Sequence, residues 1–212
     1  GHKTDPVQAV KSLVEAADFT NTEWNETAIK AKAETELAAK AGAKVTSVSV
    51  SGDTATITLR YGYSETTATI YTPSAVAAQW TAYIESTNLG TTTVPGSDMK
   101  YSEAQDIQKA MTDGYSAIWA AKTEEAANTA LETAKTNLLA AVKTYVKFLL
   151  DTVYNSGNAT ILGDTAYKLS KEAYDKASGD IHTATTEEAV LNAYKEAFNA
   201  RTSKQHPNLT KT

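Results

Sequence analysis

Residues 48–59 read VSVSGDTATITL, and this stretch decides the fold of the N-terminal half. Apolar and polar residues alternate on both sides of Gly52-Asp53, the period of a half-buried strand. Gly52-Asp53 is a two-residue loop with glycine first, the kind that closes antiparallel hairpins. That loop pairs Val50 with Ala55 and Val48 with Ile57. All four then share one face, and Leu59 continues it, so pattern and turn agree on register. A third strand, about Thr66 to Tyr71, repeats the alternation with Ala68 and Ile70 inward. Thr54, Thr56, Thr58, Thr67 and Thr69 fall on the opposite face, where β-branched hydroxyl residues suit both water and strand geometry.

Towards the N terminus the period becomes helical. Asp5-Pro6 places a capping residue before a proline at the first helical position, and Val7, Val10, Val14 and Ala17 follow at helical spacing. Thr20 with Glu23 fits a capping box flanked by Phe19 and Trp24 at the staple positions, so a second helix is predicted from there to Gly42. Downstream of the strands, Thr72-Pro73 opens a helix with Val76, Trp80 and Ile84 on one side. Segment 87–100 holds Gly90, Pro95, Gly96 and a run of threonines, lacks any period and reads as a linker. Beyond it the pattern is helical throughout. Ser102 with Gln105 opens a helix carrying Ile107, Met111 and Ile118. Thr123-Glu124-Glu125 opens the longest, striped by Leu131, Ala134, Leu138, Ala141, Tyr145, Phe148 and Val153, at a spacing near the ~3.5 of a heptad seam. Asn155 to Asn158 ends it. A third helix spans roughly Asp164 to Ile181. A fourth opens at Thr185, with Glu188 completing a capping box, and carries Val190, Tyr194, Ala197 and Phe198.

The expected fold is therefore α+β: a small N-terminal antiparallel three-stranded sheet packed on helices, followed by an antiparallel helical bundle. The expected boundaries are an α+β module at 5–86, a linker at 87–100, a bundle of about four helices at 101–202 and a disordered tail at 203–212. The bundle contains an internal echo. Ile118-x-x-Ala121-x-Thr123-Glu124-Glu125-Ala126 recurs as Ile181-x-x-Ala184-x-Thr186-Glu187-Glu188-Ala189, an offset of 63 residues. Each copy is a helix end, a short turn and an acidic helix start, where glutamates favour the positive end of the helix dipole. Thr-Glu-Glu is also a common way to open a helix, so the echo alone does not establish duplication.

The segment Tyr174 to Ala200, centred on Ile181-His182-Thr183-Ala184-Thr185-Thr186-Glu187-Glu188-Ala189, resembles the Ala-rich helical modules of Gram-positive surface proteins, FIVAR-type modules being the nearest. The resemblance covers about a quarter of the chain, or half if the first copy counts. It implies a spacer or adhesive module, and it transfers no binding residue. The strand-containing half departs from that family.

Composition narrows the function classes. The chain has 212 residues, no cysteine and a formal net charge of −5, and alanine (36) and threonine (33) together make up about a third of it. Zero cysteines removes disulfides, zinc–thiolate sites and thiol nucleophiles together. The acidic balance argues against nucleic acid, which demands clustered Lys and Arg, and against an anionic membrane surface. No apolar run approaches the ~18 residues of a membrane span, so no membrane insertion by this segment is expected. The Thr, Ala, Ser and Asn bias points to an extracellular or cell-wall-associated protein. Gly1-His2 reads as a tag scar, and the chain is expected to be a piece of a longer protein.

Motifs for catalysis are missing from the sequence. The histidines are His2, His182 and His206, with no pair at zinc-ligand spacing. Neither the nucleophile elbow nor a phosphate-binding glycine loop occurs. The pairs Glu124/Glu125 and Glu187/Glu188 sit at helix starts, where they serve the dipole. Asp98 and Asp164 lack the alternating oxygen ligands of a calcium loop. No cofactor, no metal and no catalytic residue is expected. Aromatic residues leave more room: Tyr61, Tyr63 and Tyr71 near one edge of the sheet, and Trp80 and Tyr83 on the helix that follows. Tyr61, Tyr63 and Trp80 are the candidate binding residues, because rings with polar tips stack on sugars and anchor protein partners. The same rings also suit the seam between sheet and helix. The expected function is a non-enzymatic extracellular module of a bacterial surface protein (spacer, adhesion or assembly), with a protein or glycan partner. The alternative is a carbohydrate-binding accessory module of a secreted enzyme or scaffold. A hydrolase whose carboxylates meet only in the fold is a third possibility, since such a pair needs no local motif.

Overall fold

The computed structural model describes residues 6–38, 40–156 and 169–204, the side chains of residue 156 and residues 202–204 aside. In chain order the elements are α1 (Pro6–Ala16), α2 (Glu26–Leu37), β1 (Ala43–Ser51), β2 (Thr54–Tyr61), β3 (Ser64–Tyr71), α3 (Ser74–Ser86), a 3₁₀ turn (Tyr101–Glu103), α4 (Gln105–Trp119), α5 (Glu124–Ser156), α6 (Lys171–Thr183) and α7 (Glu187–Lys204). The fold is α+β, a three-stranded antiparallel sheet with a helical bundle. By contacts the chain divides into two compact units, Gly1–Ala78 with Ser116–Ala130, and Gln79–Tyr115 with Leu131–Thr212.

The first unit is built on the hairpin pattern. Strand order is β1-β2-β3, and Val50 pairs with Ala55 and Val48 with Ile57, the predicted register. Gly52 turns at φ 58° and Gly62 at φ 62°, in the left-handed region that glycine enters without penalty. The second turn, Gly62-Tyr63, is another two-residue loop, and it starts β3 at Ser64 rather than near Thr66. Ala55, Ile57, Leu59, Ala68 and Ile70 are buried against Val10 and Val14 of α1 and Ile29, Ala33 and Leu37 of α2. A register shift between Val45 and Ser47 inserts Thr46, which brings Val45 onto the core face with Val48 and Val50; Val45 is buried, and Val48 and Val50, on an edge strand, are half-buried. On the other face Thr54, Thr56, Thr67 and Thr69 are exposed, as predicted.

Helix α2 departs from expectation at both ends. It begins at Glu26, not at Thr20, because Asn25 caps it: the Asn25 side-chain oxygen accepts from the Ala28 N–H at 2.8 Å. Phe19 and Trp24 pack against the core instead of stapling a helix. The helix stops at Leu37, and Gly42, at φ 88°, serves the turn into β1. At the start of α3 the cap is also different. The Asp53 carboxylate accepts from the Ala75 N–H at 3.2 Å, so the hairpin loop supplies the capping oxygen.

In the second unit Trp80 is fully buried and donates its ring N–H to the Met111 carbonyl at 3.0 Å. A Cβ on Gly114 would lie 2.7 Å from the Trp80 ring, so only glycine lets α4 pass there. On α5 the buried residues of this unit are Leu131, Ala134, Leu138, Val142, Val146 and Leu150. After Leu138 they follow steps of four, the ridge along which globular helices pack, and not the heptad seam expected from sequence. Ala141 and Tyr145 are consequently half-buried and Phe148 is 63% exposed. Helix α6 starts at Lys171, with Ser170 capping the Ala173 N–H at 3.1 Å. The predicted start at Asp164 lies outside the described residues, as do Gly157 and Asn158 of the predicted helix stop. Helix α7 is capped by Thr186 and not Thr185, the Ala189 N–H donating to Thr186 Oγ1 at 3.2 Å. It runs to Lys204, past the predicted start of the tail; 205–212 lie outside the described residues.

Segment 87–100 belongs to the second unit. It folds back on itself, with Thr93 bridged to Lys100 and the Val94 N–H donating to the Met99 carbonyl at 2.8 Å. Leu89 and Val94 are buried. Asn88 takes φ 60°, an uncommon value for a residue other than glycine, and one that asparagine tolerates.

Candidate functional site

A cleft in the first unit gathers four aromatic side chains. Its wall includes Phe19 and Trp24 from the segment after α1, Tyr71 at the end of β3, and Trp119 at the end of α4. Glu15, Asp18 and Lys122 supply charge, and the cavity is about 170 Å³. Local chemistry fixes these groups. Trp24 donates its ring N–H to the Gly52 carbonyl at 2.7 Å, which ties the ring to the β1–β2 turn. Strand β3 is an edge strand, and Glu15 covers part of that edge: its Oε2 accepts the Thr69 N–H at 3.2 Å. Asp18 accepts the Thr20 N–H at 2.9 Å. The Thr20 side chain, followed by that backbone bond and by Lys122 and Lys32, holds the Asp18 carboxyl below its ordinary value.

Tyr71 carries the least satisfied group of the wall. Its hydroxyl oxygen is buried and has no hydrogen-bond partner among the described residues. Burial pushes the phenol pKa up, with the negative charges of Asp53 and Glu124 adding to it. Trp119, by contrast, is 37% exposed, one of the few large apolar side chains left open to solvent among the described residues.

The candidates drawn from sequence are placed as follows. Tyr61 and Tyr63 flank the β2–β3 turn; Tyr61 packs partly against the core, and Tyr63, on the turn itself, is fully exposed. Tyr71 pairs with Thr54 and so lies at the opposite end of the strand pair, because β2 and β3 are antiparallel. Trp80 belongs to the second unit, where it is fully buried with one ring face stacked on Tyr83 at 5.8 Å between centroids. The cleft thus takes Tyr71 from the rings singled out by sequence and adds Phe19, Trp24 and Trp119. Trp119 had a trace in the sequence: it follows Ile118, a stripe residue, and so stands about 100° off the buried face of its helix.

The titratable groups of the second unit are arranged differently. Glu187 is 3% exposed, and Tyr83 donates to both of its carboxylate oxygens, at 2.9 and 3.0 Å. Burial first, and then this bond, raise the Tyr83 pKa. Burial likewise raises Tyr101, and pushes Tyr194 up to about 12. Each of these phenols is harder to ionise than a free one, the opposite of what a nucleophile or base at neutral pH requires. A second cavity, about 520 Å³, is lined by Asn88, Tyr101, Asn192, Lys195, Phe198 and neighbouring residues of the same unit. Among the described residues no group of three or more His, Cys, Asp or Glu is placed to hold a metal ion. No described helix is long and apolar enough to cross a membrane. No protein-family model matches the chain, and neither a curated protein nor a solved structure does.

Proposed function

We propose that this chain is a non-enzymatic, adhesive module of a bacterial surface protein, extracellular or associated with the cell wall, and that it binds through the cleft of its first unit. The observation that carries the reading is the convergence of Phe19, Trp24, Tyr71 and Trp119 on one cavity edged by Glu15, Asp18 and Lys122. Aromatic rings beside a few fixed polar groups are what a small recognition site requires. The Thr/Ala-rich, cysteine-free composition and the resemblance of residues 174–200 to helical surface modules support export.

Two measurements test this. Antibody against the chain should label intact source cells, and labelling only after permeabilisation would refute the location. Fluorescently tagged protein should adhere to cell-wall preparations or host surface extracts, and Trp119→Ala should abolish the adhesion. Equal adhesion of the variant would remove the cleft from the proposal.

A further inference from the structure

Resting on the cleft as the binding site, we infer that it takes one sugar ring, presented on a glycan. Size is the first argument. A cavity of about 170 Å³ lies below the ~300–1,000 Å³ of pockets for larger ligands. One pyranose fits; a stretch of oligosaccharide lying wholly inside does not.

Chemistry is the second argument. Sugar rings present C–H faces, which pack on aromatic rings, and a rim of hydroxyls, each both donor and acceptor. The cleft offers the counterparts of both. Trp119 supplies an exposed ring, and Phe19, Trp24 and Tyr71 complete the wall. Glu15 uses one carboxylate oxygen on the Thr69 N–H and keeps a second as acceptor, while Asp18, already bonded by the Thr20 N–H and side chain, retains further lone pairs. Lys122 provides ammonium donors.

Charge disfavours an anion, which meets two carboxylates against one ammonium. A purely apolar ligand leaves Asp18, Glu15 and Lys122 uncompensated. A quaternary ammonium, the other usual guest of aromatic walls, is the remaining competitor; choline is run beside the glycosides, and saturable binding of choline with none to any glycoside overturns the inference.

The experiment uses the full chain against a panel of methyl hexosides and N-acetylhexosaminides, followed by calorimetry and tryptophan fluorescence, and a glycan array. At least one glycoside should bind saturably and change the fluorescence. Trp119→Ala should weaken binding by about tenfold or more and remove the fluorescence change. Glu15→Gln keeps an oxygen for the Thr69 N–H and should weaken binding by roughly tenfold, the cost of losing a charged acceptor in the cleft. Saturable binding untouched by both substitutions overturns the inference. So does the absence of binding to every glycan while Trp119→Ala still abolishes adhesion; in that case the cleft remains the binding site and the ligand is not a sugar. If the variant changes neither glycan binding nor adhesion, both readings fall.

Discussion

At residues 118–127 and again at 181–190 the chain closes a helix, crosses a turn and opens the next helix with the same hydrogen bonds. The Ala121 N–H donates to the Ile118 carbonyl at 3.1 Å, and the Ala184 N–H to the Ile181 carbonyl at 3.3 Å. Thr123 Oγ1 accepts the Ala126 N–H at 3.1 Å, and Thr186 Oγ1 the Ala189 N–H at 3.2 Å. Ile118 and Ile181 are both buried, as are Ala127 and Val190 one helical turn on. Between these frame positions the two copies part. Trp119 is exposed on the cleft where the second copy has His182, whose backbone carbonyl accepts from Lys143 at 2.9 Å. Lys122 lines the cleft where the second copy has Thr185. Glu124 is exposed where Glu187 is buried and bonded to Tyr83. The comparison separates the hydrogen bonds and buried isoleucines that make the turn, which are shared, from the side chains the turn displays, whose identity or surroundings differ.

A shared frame predicts equal damage. Ile118→Ala and Ile181→Ala should each cost about 2–5 kcal/mol, the range for emptying a buried aliphatic site. Urea denaturation of the two variants measures it. A cost near zero for either would mean that its turn is held by something else, and the likeness of the two turns would be superficial.

The acidic openings should then diverge. Glu187→Ala strands the Tyr83 hydroxyl and removes a hydrogen bond to a charged group, which should cost ~1.5–3 kcal/mol. Glu124→Ala acts on an exposed side chain and should stay within about 0.5 kcal/mol. Similar losses at both positions would show that Glu187 acts through the helix dipole alone.

Much of this architecture was legible, for reasons that also explain what was not. Hairpin register is local information: strand period and a glycine-first loop at 52–53 fix it within a dozen residues. The Gly62-Tyr63 loop carries the same signal, and it escaped only because Ser64 and Glu65 add no apolar residue to mark the strand. The insertion at Thr46 depends on Val45 reaching the core, which no local pattern encodes. On α5 the seam and the ridge share Leu131, Ala134 and Leu138 and diverge only afterwards, so the choice belonged to the packing partners. The cleft draws on residues 15–24, 69–73 and 119–122. Segments so far apart form no motif, whereas the rings at 61, 63 and 80 lie on a strand, a turn and the next helix, whose order along the chain does not say which of them share a surface.

Alkaline pH should act on the buried phenols of the second unit. Tyr83, Tyr101 and Tyr194 have raised pKa values, Tyr194 about 12, against an ordinary ~10. The folded state holds these protons more tightly than the unfolded state. Their contribution is therefore complete below pH ~10 and is lost as pH rises through the folded values. Thermal melts from pH 8 to 12, with tyrosinate absorbance followed alongside, should show stability falling from about pH 10 upwards. Tyr83→Phe should make that fall shallower. A flat profile to pH 12 would place these hydroxyls in water.

The displayed ring of the first copy offers the most informative test of the two copies. Trp119 stands on a frame shared with His182, yet it is 37% exposed while Trp80 is fully buried. Trp119 is 37% exposed and keeps most of its ring against the protein, so Trp119→Ala should cost about 1–2 kcal/mol, less than emptying a buried aromatic site. The same substitution should remove much of the fluorescence that acrylamide quenches, because of the other two tryptophans Trp24 is half-buried and Trp80 is inaccessible. The two readings together decide the role of the ring. A displayed ligand face gives high quenching and a cost of no more than about 2 kcal/mol. A ring that completes the core gives weak quenching and a loss of ~3–5 kcal/mol, as for other buried aromatics. In that second case Trp119 would be a frame residue like Ile118, the difference displayed by the first copy would reduce to Lys122, and the cleft would lose its most exposed ring.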